Sequence, residues 1–226
     1  MLNTAICANI SKEKKERTFM KKKRCVLFDF DGTIFNSIPR SYRATCRVFE
    51  NAGCLTPSFK DFWLNCHAPF VDFYRKRGVT LLEQEIWEIF FRYANFDEVR
   101  FFDDVQPTTT RLAEEDCFLG IVSGQQTHLI RKYCEQGDFL RVFSAGIVGD
   151  VVDKAFAIVQ MCETMQIPLE LVWYVGDFPS DMRAAKKASV LAVGITRGFS
   201  VHDELKVSGA HHVIDNLNDL LPLVLS

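Results

Sequence analysis

The chain has 226 residues, of which 48% are hydrophobic and 25% are charged, and its formal net charge at pH 7 is −2. This composition is typical of a globular protein with one large core, or with a core and a small accessory domain. The near-neutral charge predicts no nucleic-acid partner, and the absence of an apolar run of roughly 18 residues predicts no membrane partner.

The first residues of the chain differ from the rest because they are strongly basic. Residues 11–24, SKEKKERTFMKKKR, carry eight lysines and arginines. No apolar segment with a small-residue cleavage site follows, so the stretch is not typical of a secretory signal. We predict a basic, disordered tail at residues 1–22.

The eight cysteines form no C-x-x-C pair, and several of them, such as Cys25 and Cys117, stand inside apolar runs. This pattern favours small buried thiols over a disulfide framework or a zinc site. Free thiols persist in a reducing compartment, so we predict a cytoplasmic protein.

The first regular element begins near residue 25. Residues 25–30, CVLFDF, form a continuous apolar run that ends in charge, as a strand buried on both faces does. Residues 38–104 then show only helical periodicity and are rich in Phe and Trp. This stretch predicts a small helical unit of its own.

After residue 105, short apolar strands alternate with helices of ten to fifteen residues, which predicts a parallel sheet covered on both faces. The predicted fold class is α/β, with a Rossmann-like parallel-sheet core, helices on both faces, and a small all-α cap inserted after strand 1. We place the core at residues 23–37 and 105–226, and the cap at residues 38–104.

Polar residues follow several predicted strands at their carboxyl ends, where open parallel sheets bind ligands. Neighbouring carboxylates repel one another unless a hard divalent cation such as Mg²⁺ lies among them, and a carboxylate can also attack phosphorus. Hydroxyls, a lysine and backbone amides can bind phosphoryl oxygens. The residues concerned are Asp29, Asp31, Thr33, Ser123, Gly124, Lys154, Asp177 and Asp181.

Four segments in this order resemble the motifs of the haloacid dehalogenase superfamily: DFDGTIFNS, VSG, Lys154 and GDFPSD. The resemblance covers about residues 23–220, includes that superfamily's helical cap, and is greatest to phosphoglycolate-phosphatase-like members. It implies an enzyme that hydrolyses a phosphate monoester. The second aspartate of the first motif, Asp31, favours phosphate esters over haloacids.

The resemblance also implies a role for each matching carboxylate. Asp29 would be the nucleophile that forms an aspartyl-phosphate, and Asp31 would be the general acid and base. Mg²⁺ would be held by Asp29, the backbone carbonyl of Asp31, and Asp177. Asp181 would contribute through a water molecule and would orient Lys154.

The remaining matching residues would bind the phosphoryl group. Ser123, Gly124, Thr33 and Lys154 would contact its oxygens, and Lys154 would also be catalytic. The chain departs from the resemblance at several positions, among them Phe178, which stands where relatives have a small polar residue, and Ala155, which stands where relatives often have proline.

The loop LNCHAPF of the predicted cap matches the place where relatives lower a specificity loop over the active site. Asn65 and His67 are its polar candidates for substrate contact. The predicted partner is a small phosphorylated metabolite, and the protein would be a monomer or a homodimer.

Three alternatives stay open. A phosphosugar mutase needs the same core and a cap that excludes water. A phosphonate hydrolase needs a cap lysine, for which the candidates are Lys60 and Lys76. A non-catalytic scaffold would bind a partner through the Phe-rich cap.

Overall fold

The computed structural model describes residues 23–66, 69–94 and 100–226. These residues contain a six-stranded parallel sheet in the order β3-β2-β1-β4-β5-β6. The predicted α/β class with a Rossmann-like parallel sheet is therefore confirmed. The strands are β1 (Cys25–Phe28), β2 (Phe118–Val122), β3 (Gly146–Val148), β4 (Val172–Gly176), β5 (Leu191–Ile195) and β6 (His212–Ile214).

Ten α-helices lie in the described residues. They are α1 (Ile38–Asn51), α2 (Phe59–Asn65), α3 (Phe70–Arg75), α4 (Glu83–Tyr93), α5 (Val105–Glu114), α6 (Thr127–Gln136), α7 (Lys154–Met165), α8 (Pro179–Lys187), α9 (His202–Val207) and α10 (Leu220–Leu225). Helix α9 and the 3₁₀ turn at Leu169–Leu171 were not predicted, because each is too short to show a repeating apolar pattern.

The apolar run of β1 is continuous because both faces of the sheet are covered. Val26 and Phe28 point into one buried cluster, to which α5, α6 and α10 contribute. Cys25 and Leu27 point into a second cluster on the opposite face, formed with α7, α8 and α9. Alternate side chains of a strand face opposite sides, so each residue of β1 is fully buried.

Helices α1 to α4 follow β1 in sequence and surround a buried cluster of their own. That cluster includes Val48, Phe49, Phe62, Tyr74 and Ile86. We name the described residues between 38 and 94 the cap, and we propose that they form the helical domain predicted at residues 38–104.

The cap rests on the core through aromatic contacts. The ring of Phe62 lies 5.8 Å from that of Phe199, measured between centroids. The indole nitrogen of Trp63 donates a hydrogen bond of 2.6 Å to the carbonyl oxygen of Gly198. These contacts close the cap over the loop that follows β5.

Seven cysteines lie in the described residues, and none of the seven forms a disulfide with another described cysteine, in agreement with the prediction. Burial raises the pKa of Cys66 and of Cys134 to about 12, so both stay protonated at neutral pH. Within the described parts of the chain, no helix is long and apolar enough to cross a bilayer. The predicted basic tail at residues 1–22 lies outside the described residues.

Candidate active site

The site lies where the strand order reverses, between β1 and β4, which is the usual ligand position in an open parallel sheet. Asp29 directly follows β1, and its backbone N–H donates to the carbonyl oxygen of Val175 in β4 at 2.8 Å. Asp177 directly follows β4. Pairing of the two strands therefore brings together carboxylates that are 148 positions apart in sequence.

A tight turn after β1 packs against Asp177. Gly32 has a φ of +76°, and a Cβ atom at this position would lie 2.4 Å from Oδ2 of Asp177. The position therefore needs glycine both for its backbone conformation and for space. The next residue, Thr33, donates its hydroxyl proton to Oδ1 of Asp177 at 3.2 Å. The backbone N–H of Phe199 donates to Oδ2 at 2.9 Å, so both carboxylate oxygens are held.

Asp29, Asp177 and Asp181 form a buried carboxylate cluster. One oxygen from each lies within 4.8 Å of the others, and all three residues are buried. Burial, together with the neighbouring Asp181 and Asp29, raises the pKa of Asp177 well above its usual value. Burial also raises the pKa of Asp181 to about 6, although Lys154 opposes the rise.

Lys154 lies inside this cluster. It is the first residue of α7, whose N-cap Asp153 accepts a hydrogen bond from the backbone of Phe156. Its ammonium donates to Oδ1 of Asp29 at 2.9 Å and to Oδ1 of Asp181 at 2.6 Å. Burial disfavours the charged amine, but Asp181 and Asp29 raise the pKa of Lys154 well above its usual value.

The ammonium hydrogen-bonded within the cluster, that of Lys154, balances the charge of one of the three buried carboxylates. A divalent cation would supply the missing positive charge. The donor set consists of carboxylate oxygens, which suit a hard ion such as Mg²⁺. The residues therefore fit the predicted metal.

Asp31 lies apart from the cluster and is held by two other side chains. Its Oδ1 accepts from Nη2 of Arg40 in α1 at 2.9 Å, and its Oδ2 accepts from the side-chain amide of Gln125 at 2.9 Å. Burial and the nearby Asp29 raise the pKa of Asp31, while Arg40 and Gln125 lower it. The net shift is upward, which favours a carboxyl group that can carry a proton closer to neutral pH.

Asp29, Asp31 and Lys154 face one cavity of about 420 Å³ between the strand ends and the cap. Ser123 and Gly124, which follow β2, also line it. The site therefore combines a buried carboxylate, a second carboxyl group with a raised pKa, and an ammonium around one space.

A family model described as haloacid dehalogenase-like hydrolase matches residues 26–195 of the chain. The chain belongs to this family. This match confirms the predicted membership of the haloacid dehalogenase superfamily and the predicted hydrolase class. It also supports an enzyme over the non-catalytic scaffold.

Similar proteins have names that refer to phosphate chemistry. A protein of Clostridium perfringens with the assigned name pyrophosphatase PpaX is 22% identical over 209 residues, which are 89% of this chain and 97% of that protein. The phosphoglycolate phosphatase of Escherichia coli is 30% identical over 125 residues, which are 54% of this chain and 50% of that enzyme.

The fold of this haloacid dehalogenase-like hydrolase is similar to that of solved family members. A haloacid dehalogenase-like hydrolase from Streptococcus pneumoniae superposes with a TM-score of 0.77 at 22% identity, over 90% of this chain and 99% of that chain. At this identity the likeness shows the fold alone.

Two of the predicted substrate residues, Thr33 and Asn65, lie outside the cavity lining. The hydroxyl of Thr33 is buried against Asp177 and is not among the residues that line the cavity. Asn65 is exposed and donates its side-chain amide to Asp61 at 2.8 Å, also away from the cavity lining. His67 lies outside the described residues.

Sequence reasoning missed two residues that hold Asp31. Gln125 follows Ser123 and Gly124 directly, so its position at a strand end was a usable signal. Arg40 had no such signal, because it is one of several arginines on a cap helix. The side chain of Arg40 is only 8% exposed and lies over the ring of Phe35, 5.0 Å from its centroid.

Proposed function

We propose that the protein is a Mg²⁺-dependent phosphatase that hydrolyses a small phosphate monoester through an aspartyl-phosphate on Asp29. The observation that carries the proposal is the pair of carboxyl groups at the end of β1. Asp29 is buried with one oxygen bound to Lys154, whereas Asp31 is held in the same cavity by Arg40 and Gln125. The two groups therefore differ in the way that a nucleophile and a proton donor must differ.

In the first step, a carboxylate oxygen of Asp29 attacks phosphorus, and the bond between phosphorus and the ester oxygen breaks. The leaving oxygen takes a proton from the carboxyl group of Asp31 and departs as an alcohol. Lys154 binds the phosphoryl oxygens and keeps the attacking carboxylate oriented. Ser123 and the backbone N–H groups near Gly124 are further donors to the same oxygens.

In the second step, a water molecule attacks the phosphorus of the aspartyl-phosphate. The Asp31 carboxylate, now deprotonated, accepts one proton from this water. The bond between phosphorus and Asp29 breaks, inorganic phosphate leaves, and both aspartates return to their starting states. The proton that Asp31 gave to the alcohol is thus replaced by one from water.

The metal would be held by Asp29, Asp177 and the backbone carbonyl of Asp31, with Asp181 contributing through water. When bound, Mg²⁺ offsets the negative charge of the phosphoryl group and of the carboxylates around it. The chain itself holds Asp177 in place through Thr33 and Phe199.

Two alternatives share the family but receive different support. A phosphonate hydrolase needs a lysine of the cap in the cavity. Lys60 and Lys76 are exposed, and neither is among the described residues that line the cavity. A phosphosugar mutase would use Asp29 and Asp31 in the same roles, so phosphate release separates it from a phosphatase.

The test is release of inorganic phosphate from p-nitrophenyl phosphate and from ethyl phosphate by the full chain. We expect turnover with Mg²⁺, loss of turnover in excess EDTA, and recovery when Mg²⁺ is restored. Full turnover after metal removal would contradict the metal requirement. Transfer of phosphate between sugar phosphates without net release would favour the mutase.

A further inference from the structure

The cavity above Asp29 is larger than a phosphoryl group requires. Its volume is about 420 Å³, within the range of pockets that bind small organic ligands. An apolar cavity of roughly 150 Å³ is enough to hold benzene. The cavity therefore has room for a phosphoryl group and for a ring attached to it.

Aromatic side chains of the cap form the wall opposite the catalytic residues. We name as the aromatic roof Phe62, Phe70, Tyr74, Trp87, Phe90 and Phe91. The ring of Trp87 is central to it, with centroids 6.4 Å from Phe70, 5.8 Å from Phe90 and 6.0 Å from Phe91. The core extends this surface through Phe178, whose ring lies 6.1 Å from Phe70.

Part of the aromatic roof is open to water. Phe91 is 54% exposed and Phe70 is 37% exposed, although both line the cavity. Large apolar side chains that are exposed together at a cavity are typical of a surface that contacts a ligand. A ligand ring placed here would remove these side chains from water and could pack edge-to-face against them.

Each cation among the described residues of the cavity lining already has a carboxylate partner. Among the described lining residues the cations are Arg40 and Lys154, which bind Asp31 and the carboxylate cluster. Two cap arginines point elsewhere: Arg75 donates to the carbonyl of Val79, and Arg77 binds Asp61. A second anionic group on a substrate would therefore lose its water against aromatic rings without a described cation to replace it.

We propose that the substrate is a phosphate monoester of an uncharged alcohol that carries an aromatic or similar apolar ring, with the ring against the aromatic roof. The inference rests on the proposed phosphatase function, because it places the phosphoryl group at Asp29. On this inference, small phosphorylated acids that carry a carboxylate as a second anionic group, such as 2-phosphoglycolate, are not the preferred substrate.

Binding can be measured without turnover on three phosphonates that differ only in the group at the roof. They are propylphosphonate, 3-phenylpropylphosphonate and 4-phosphonobutyrate, titrated by calorimetry in the presence of Mg²⁺. We expect the phenyl compound to bind at least about tenfold more tightly than the propyl compound, and the carboxylate compound to bind most weakly. Equal affinities, or tightest binding of the carboxylate compound, would overturn the inference.

Turnover of the matched esters separates this inference from the proposed function. The esters are ethyl phosphate, 2-phenylethyl phosphate and 2-phosphoglycolate, and they are compared by kcat/KM. Each releases an aliphatic alcohol, so the phenyl compound gains nothing from a better leaving group. Preference for 2-phenylethyl phosphate supports the inference. Hydrolysis of all three esters without that preference overturns the inference about the ring but supports the proposed phosphatase function. If the phenyl phosphonate binds most tightly but no ester is hydrolysed, the ring site is supported and the proposed phosphatase function is overturned.

Variants of α4 identify the surface responsible. Trp87→Ala should lower the ratio of kcat/KM for 2-phenylethyl phosphate to that for ethyl phosphate about tenfold. Phe91→Ala should lower the same ratio, and its exposed position makes loss of folding a smaller concern. Tyr93→Ala is the control, because Tyr93 is on the same helix, is 42% exposed and is not among the cavity-lining residues. An unchanged ratio in both folded roof variants would contradict the inference.

Discussion

The two walls of the cavity are built on opposite physical principles. At the strand ends, which we name the floor, Asp29, Asp177, Asp181 and Lys154 are buried or nearly so, and hydrogen bonds hold them in one arrangement. The aromatic roof consists mainly of rings, some of them open to water. Buried charge requires partners at fixed distances, whereas apolar contact is not directional.

This difference separates the chemistry from the choice of substrate. A change of side chain in the floor leaves a buried charge without its partner, so it should affect every substrate. A change in the aromatic roof removes contact area and should affect only substrates that use that area. The predictions that follow probe this separation, beginning with the largest expected effect.

Asp29→Asn should abolish turnover of every phosphate ester, with a loss of at least about 10⁴-fold, because the amide is a poor nucleophile. Phosphate release measures the loss, and rapid quenching with mass spectrometry should find no aspartyl-phosphate. Asp203→Asn is the matched control, since the Asp203 side chain is 97% exposed on α9. A covalent phosphate at another residue of the Asp29→Asn variant would show that the assigned nucleophile is wrong.

Asp31→Asn should lower turnover of ethyl phosphate by roughly 10²–10⁴, the usual effect of losing a general acid and base. With p-nitrophenyl phosphate the leaving group needs little protonation, so the aspartyl-phosphate should still form and its hydrolysis should be slow. Rapid quenching at successive times would show it accumulating. Normal steady-state turnover of both esters by the variant would contradict the assigned role.

Phe178→Ser changes the residue at which floor and roof meet. Its backbone N–H donates to Asp181, whereas its ring contacts Phe70 and Phe199. Serine keeps the backbone bond and removes the ring, so the preference for 2-phenylethyl phosphate over ethyl phosphate should fall about five- to tenfold. An equal loss for both esters would mean that floor and roof cannot be separated at this position.

Arg77→Met should lower stability without altering turnover of either ester. Arg77 binds Asp61 through two hydrogen bonds of 2.6 and 2.7 Å, and both side chains are partly exposed. Such a pair contributes about 0.5–1 kcal/mol, or a decrease in Tm of about 1–4 °C. Arg47→Met, which breaks a more exposed pair with Glu50, should change Tm less.

The loss of stability in Arg77→Met should depend on pH. Hydrogen bonds from Arg77 lower the pKa of Asp61 below its ordinary 3.8. The stabilisation is therefore fully present above pH 3.8 and is lost as the pH falls through the lower, folded-state value. Thermal unfolding should show the difference in Tm at about pH 7 and a shrinking difference below pH 3.8. A difference that grows towards acid pH would contradict this linkage.

The sequence by itself determined the fold class and the place of the chemistry. Burial on both faces makes the inner parallel strands, such as β1 and β4, continuous apolar runs, and that signal is local. Because parallel strands end at one edge of the sheet, polar residues directly after them, such as Asp29 and Asp177, meet there whatever the intervening chain does. The superfamily resemblance of these motifs then implied individual roles, which remain proposals for each residue.

Only the tertiary structure decided which side chains complete the site. Thr33 was expected at the phosphoryl group, but its hydroxyl binds Asp177, 144 positions away in sequence. Arg40 reaches Asp31 because α1 packs over the strand ends, and nothing local distinguishes it from other arginines of the cap. Periodicity predicts that a helix has an apolar face but not what that face meets. The position of Trp87 opposite Asp29 therefore depends on how the four described cap helices pack against one another and against the core.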